Sequence, residues 1–239
     1  MDTHIFKDAF ESISRIVDEI TIDVDSDGFR VNALDRSHIT FVGLNLEPSV
    51  FDEFTCNVPV RITLDTMELM KVLKRCKNSD VLRLEMDGAY ILLTFLGDST
   101  RKFKIKMIDM PDDEVPPLPN INPPTHIKIM SGLLKDCLTD MELFGDVLKF
   151  KVTEDYFISE TNGDFGDSDF KYLHGENVNG EVSSNFSIDK LKDILSASKF
   201  SDICELFIGN DMPIVIVFSL ETGDGELKFL LAPRLNEEE

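Results

Sequence analysis

Three carboxylates crowd the run Asn162-Gly163-Asp164-Phe165-Gly166-Asp167-Ser168-Asp169. Grouped carboxylates can hold a divalent ion or divide acid and base work, as in a carboxylate-dependent nuclease. The glycines and the strand patterns on either side instead fit a surface loop, so no catalytic role is assigned there. A second run, Asp23-Val24-Asp25-Ser26-Asp27-Gly28, opens like a calcium loop. Its twelfth position is Leu34 where a bidentate Glu is needed, and it lies between strand patterns, so it is expected to be an Asp-Gly hairpin turn. Cys56, Cys76, Cys137 and Cys204 are far apart without a CxxC spacing, and His4, His38, His126 and His174 are scattered singly. The cysteines read as buried reduced thiols. No Ser-His-Asp arrangement, phosphate-binding glycine loop or metal-spaced histidine motif is present, so no catalytic residue, metal or cofactor is expected.

What remains is charge. The net charge of −21 speaks against nucleic acid, because phosphate binding draws on Lys and Arg. Distribution matters more than the sum. Lys71, Lys74 and Arg75, with Lys77 close by, form a basic ridge opposite an apolar stripe of Leu69, Met70, Val72, Leu73 and Cys76. Lys190, Lys192 and Lys199 repeat the ridge more weakly on a later helix, and Lys7 and Arg15 lie on the first. The third helix departs from this pattern, carrying Lys135 beside Asp136, Asp140 and Glu142.

These ridges sit on a duplicated plan. Ile62-Thr63-Leu64-Asp65 followed by an amphipathic helix, then Ser79-Asp80 and a strand, is matched by Phe186-Ser187-Ile188-Asp189, a helix, then Ser201-Asp202 and a strand. Both copies read as strand, Asp N-cap, helix, Ser-Asp turn, strand. A unit of half the chain is too long for a solenoid repeat and implies two similar domains. Apolar spacing predicts a first helix over 6–20, helices near 66–76, 132–143 and 189–198, and short strands between them. The fold class is therefore α+β, two tandem domains of antiparallel sheet with two helices each. The boundaries are 1–108 and 125–239, joined by a proline-rich linker over 109–124 that cannot enter a sheet interior. That linker still carries Val115, Leu118 and Ile121, which a solvated tether would not need.

The second half opens on a strand at 126–130, whereas the first helix begins almost at Met1. Either the first sheet is one strand short or Met1 is an internal methionine, and the second is preferred. No apolar run approaches the roughly 20 residues that cross a bilayer, and the N-terminus lacks a signal-peptide pattern. The chain is expected in the cytoplasm, without a membrane partner.

Leu34-Asp35-Arg36-Ser37-His38-Ile39, the linker ending in prolines, Asp211-Met212-Pro213-Ile214 and the closing Phe229-Leu230-Leu231-Ala232-Pro233-Arg234-Leu235 together resemble the proliferating cell nuclear antigen family of sliding clamps, most nearly its archaeal form. The resemblance spans the whole chain. It implies a DNA polymerase processivity factor at the nucleoid: a ring of three two-domain subunits around duplex DNA, its helices lining the hole. Lys7, Arg15, Lys71, Lys74, Arg75, Lys77, Lys190, Lys192 and Lys199 would then face the duplex. Polymerase, clamp loader, flap endonuclease and ligase would dock short apolar motifs on Leu34, His38, Ile39, Leu118, Pro119, Ile121, Met212, Pro213, Leu230, Ala232, Pro233 and Leu235. Edge strands over 101–108 and 170–174, with Phe103, Ile105, Met107, Phe170 and Tyr172, would join the subunits. The sequence leaves open a homotrimer or a mixed ring, and a scaffold of the same fold that binds no DNA.

Overall fold

The structure is a computed structural model that describes residues 3–77, 79–109 and 119–235. In the first half, α1 (Thr3–Ile16) precedes β1 (Glu19–Asp25), β2 (Gly28–Leu34), β3 (Thr40–Leu46) and β4 (Val60–Asp65). Then come α2 (Thr66–Leu73), β5 (Val81–Asp87), β6 (Tyr90–Leu96) and β7 (Thr100–Lys106). The second half adds a strand before its first helix: β8 (Thr125–Met130), α3 (Ser131–Met141), β9 (Val147–Val152), β10 (Tyr156–Gly163), β11 (Gly166–Leu173) and β12 (Val182–Ser187). It closes with α4 (Ile188–Ile194), a 3-10 turn over Leu195–Lys199, β13 (Ile203–Ile208), β14 (Ile214–Ser219) and β15 (Gly225–Leu231).

All strand pairs are antiparallel. One eight-stranded sheet runs β4-β1-β2-β3-β15-β14-β13-β8, a second runs β11-β10-β9-β12, and a third runs β5-β6-β7. The large sheet is therefore half from each part of the chain, joined where β3 pairs with β15, from Thr40 opposite Leu231 to Leu46 opposite Gly225. The helices pack in a row: α2 on α1, α1 on α4 and the turn after it, and α3 on that same pair. Each also rests on sheet, α2 on β4 and β7, α1 on β3, α4 on β12 and β15, α3 on β8, β10 and β11. One layer of helices thus backs onto one layer of sheets. Phe6, Phe10 and Ile13 of α1, Leu69 and Leu73 of α2, Leu134 and Leu138 of α3, and Leu191 and Ile194 of α4 point into the core between them.

The repeat extends to individual hydrogen bonds onto matched carbonyls. Thr66 N–H donates to Asp18 O at 2.9 Å, and Ile188 N–H donates to Asp146 O at 3.0 Å. The Thr3 hydroxyl bonds Asp80 O at 2.8 Å, and Ser131 N–H bonds Asp202 O at 2.8 Å. The sequence reading put Asp at both N-caps, but only Asp65 serves, accepting from Glu68 N–H at 2.8 Å. In α4 the cap position is Ser187, and Asp189 lies inside the first turn. There it complements the helix dipole instead. The first helix is shorter than its apolar spacing suggests, because Ile20 belongs to β1, opposite Leu64.

The expected asymmetry at the N-terminal end is present. In the second half β8 covers the outer edge of β13. No strand among the described residues does this for β5, and a groove of about 780 Å³ runs between that edge and residues 51–58.

The halves are tied by one buried carboxylate. Asp35, 3% exposed, accepts from Ser37 Oγ at 2.6 Å, from the N–H groups of Ile39 and Thr40 at 2.8 and 2.9 Å, and from Lys190 Nζ of α4 at 3.1 Å. Burial pushes this carboxyl up, but the hydrogen bonds from Ser37, Thr40, Ile39 and Lys190 outweigh it and hold it below the usual carboxylate range. A depressed folded value adds stability that is complete above the unfolded pKa, near 4, and is lost as pH falls through the folded one. Asp35→Ala is expected to cost about 2 kcal/mol in urea unfolding at pH 7, since it leaves the buried N–H of Thr40, the half-buried N–H of Ile39 and the Lys190 ammonium without their acceptor. The difference from the unaltered chain should shrink once pH drops below about 4.

Candidate nucleic-acid interface

The nine cations expected on one surface all lie on or just after three helices of the single layer, and they divide into two kinds. Arg15, Lys74, Arg75 and Lys77 are exposed and Lys7 is half-buried, and none of the five makes an ion pair among the described residues. Lys74 is the C-cap of α2 and Arg75 and Lys77 follow it, so three positive charges gather at the negative end of that helix dipole. The sequence reading carried the helix on to 76. The structure ends it at Leu73, so these cations sit on a turn held by Arg101 Nη1 donating to Arg75 O at 2.8 Å and Lys77 N–H donating to Asp80 Oδ2 at 2.6 Å.

The other four are already engaged. Lys71 Nζ is 2.6 Å from Glu68, Lys190 3.1 Å from Asp35, Lys199 3.1 Å from Glu11, and Lys192 is bonded to Glu142. On α4 and the turn after it, each of the lysines expected to form a weaker ridge meets a carboxylate. Lys190 and Lys199 reach residues of the first half, and Lys192 neutralises the acidic end of α3. Burial raises the carboxyls of Asp8 and Asp193, which share this helix layer with Lys199 and Arg15 respectively. The face is a patchwork with its free positive charge concentrated around α2.

On the opposite side of the large sheet lies a second, smaller apolar cluster. Phe41, Val215, Val217 and Leu230 are buried there, with Leu34, Ile121 and Phe207 packed against them. Leu34, Ile121 and Leu230 were expected at a partner pocket, and the structure brings them together. Ile39 is drawn in through its carbonyl, which accepts from Ala232 N–H at 2.9 Å. His38 occupies the left-handed turn beside it, φ 59°, and is exposed. Met212 and Pro124 crowd Gly209 so closely that a Cβ there would meet Met212 Sδ at 2.6 Å and Pro124 Cδ at 3.0 Å. Pro213, Ala232 and Pro233 are half-buried, while Pro119 and Leu235 are exposed, Leu235 at 70%. Leu118 lies outside the described residues. Phe41, Phe207, Val215 and Val217 were missed, although β14 carried the signal. Its run Ile214-Val215-Ile216-Val217-Phe218 is apolar on both faces, which a strand with one face in water does not need.

In the single chain the residues expected at subunit contacts lean toward the core, Ile105 buried and Phe103, Met107, Phe170 and Tyr172 half-buried. Ile105 is 9% exposed within the main core, Phe103 packs on Phe95 with ring centroids 5.3 Å apart, and Phe170 packs on Phe157 at 6.4 Å. Tyr172 and Met107 are half-buried against the same core. Strand alternation explains this, since the helices already cover that face. The outward positions are Lys102, Lys104 and Lys106 on β7 and Asp167, Asp169, Lys171 and Leu173 on β11. Both are edge strands.

Other candidates resolve simply. Asp164, Asp167 and Asp169 are exposed along the β10–β11 hairpin, and no metal-holding group of three side chains occurs among the described residues. Asp25 and Gly28 close the expected hairpin turn, steadied by the Asp25–Arg30 ion pair. Burial pushes the Cys137 thiol up to about 11 and the Cys204 thiol up to about 12, so both stay protonated and unreactive. No described helix is long and apolar enough to cross a membrane.

Two matched halves, a helix layer backed by sheets, and edge strands free at both ends define the architecture of a DNA sliding clamp subunit. Residues 1–114 match the family model "Proliferating cell nuclear antigen, N-terminal domain". A DNA polymerase sliding clamp of Methanobrevibacter smithii is 48% identical over 238 residues, covering 100% of this chain and 97% of that protein. One from Methanothermobacter thermautotrophicus is 43% identical with the same coverage. The crystal structure of the antigen from Entamoeba histolytica superposes with a TM-score of 0.91 over 98% of this chain and 96% of that one, at 24% identity. The chain belongs to the proliferating cell nuclear antigen family of DNA polymerase sliding clamps.

Proposed function

We propose that residues 1–108 and 125–239 act as two like domains joined by 109–124, and that three copies close into a ring around duplex DNA. The ring is the working form of a non-catalytic processivity factor that tethers DNA polymerase. Copies of one chain suffice, because both kinds of edge are present on it.

The observation that carries this reading is the β3–β15 junction. It joins the third strand of one half to the last strand of the other. Repeating the same junction onward would join β11 of one copy to β7 of the next, and those strands are edges. A head-to-tail contact closes into a ring when its repeated rotation returns to the start, and six like domains in three copies would do so with a near six-fold step. Lys7, Arg15, Lys71, Lys74, Arg75, Lys77, Lys190, Lys192 and Lys199 then look inward. Only the unpaired ones centre the duplex strongly, and a protein held by topology needs no tighter grip on phosphates. The acidic remainder limits adsorption of nucleic acid elsewhere.

The second apolar cluster and the linker beside it receive extended partner segments with apolar and aromatic anchors, from polymerase, clamp loader, flap endonuclease and ligase. The ring acts in the cytoplasm, at the nucleoid. Light scattering of the purified chain should give three times the 27.1 kDa subunit mass. A monomer mass at every concentration up to the physiological range would remove the ring.

A further inference from the structure

We infer that the joint between copies is closed by a cross-strand ladder of Lys102 with Asp169 and Lys104 with Asp167, and that this ladder selects the head-to-tail contact. The inference rests on the ring proposed above and adds its register and chemistry.

The register comes from the junction inside the chain. Matching the halves through Asp80 and Asp202, then along their ladders, sets Phe95 over Phe218 and Phe103 over Phe229. Both pairs make the same inward aromatic contact, at 5.3 and 6.0 Å, which fixes the correspondence. Lys102 therefore corresponds to Lys228, and Lys104 to Leu230. Matching through the caps Asp65 and Ser187 sets Phe41 over Asp167 and Gly43 over Asp169. Within the chain Leu230 stands opposite Phe41 and Lys228 opposite Gly43. The same register between copies puts Lys104 opposite Asp167 and Lys102 opposite Asp169.

All four side chains are exposed and lie on the outward faces of their strands. At the position where the internal junction uses the buried apolar pair Phe41 and Leu230, the joint between copies uses charge. That difference suits a contact that must open while the internal one must not. Opposite charges across an antiparallel pair attract and like charges repel. Pairing β7 with β7 would oppose lysines, so a two-fold dimer through that edge is disfavoured. In the single chain Lys104 is bonded to Asp87, which it exchanges for Asp167 on closure.

The test is sedimentation of four full-length proteins at low and high salt, with circular dichroism to confirm folding. Lys102→Glu with Lys104→Glu should weaken ring assembly at least tenfold at low salt, as should Asp167→Lys with Asp169→Lys. The chain carrying all four changes should assemble again, and the unaltered ring should loosen as salt rises. Rings that survive either double change would overturn the ladder and leave the ring standing. So would a fourfold variant that stays apart while both double variants dissociate. An unaltered chain that never assembles would overturn ladder and ring together.

Discussion

Changing Lys74, Arg75 and Lys77 together to Glu should cut polymerase stimulation at physiological salt by about tenfold or more, with ring mass unchanged and the unfolding midpoint lowered only by the lost charge complement at the end of α2. All three are exposed and hold no carboxylate, so their reversal removes phosphate attraction without breaking the fold. The slope of log DNA affinity against log salt should fall by about one unit for each residue changed. The contrast is with α4. Lys190→Glu and Lys199→Glu would place like charges against Asp35 and Glu11, so they should lower the unfolding midpoint as well as DNA contact. Equal effects from both sets would remove the division between free and engaged cations, and normal stimulation by the first set would move the duplex off this face.

The second large effect belongs to the second apolar cluster. Ile121→Ala with Leu235→Ala should weaken a partner peptide by about 2 kcal/mol, roughly 30-fold in Kd. Ile121 packs beside Phe41 and Leu230, and Leu235 stands 70% exposed, so neither supports the main core. Titration calorimetry with a peptide carrying one aliphatic and two aromatic anchors would read the change. Unaltered affinity with an unaltered fold would place the docking site elsewhere.

The fold was legible in the sequence because its signals are local and doubled. Asp65 caps α2 three residues from the N–H that it accepts, and the Ser-Asp turns precede both β5 and β13. The state of the helix face was not legible, because the partners that engage its lysines are remote in the chain. Lys190 meets Asp35 across 155 positions, Lys192 meets Glu142 across 50, and Lys199 meets Glu11 across 188. Charge counting along one helix cannot see them. The second apolar cluster was half legible: the linker's composition marked Ile121 and the family resemblance marked Leu230, while Phe41 and Phe207 looked like ordinary strand residues. The edge strands themselves were legible from their alternation: on β7 and β11 the apolar side chains lean toward the helices while the charged positions point outward.

That the ring holds DNA by linkage is tested most directly by loading the protein onto a closed circular duplex, then cutting the circle once and following what stays bound. Retention on the circle through a high-salt wash, with release on linearisation, is the expected result. Equal retention on circle and line, or loss from the intact circle in the same wash, would contradict it.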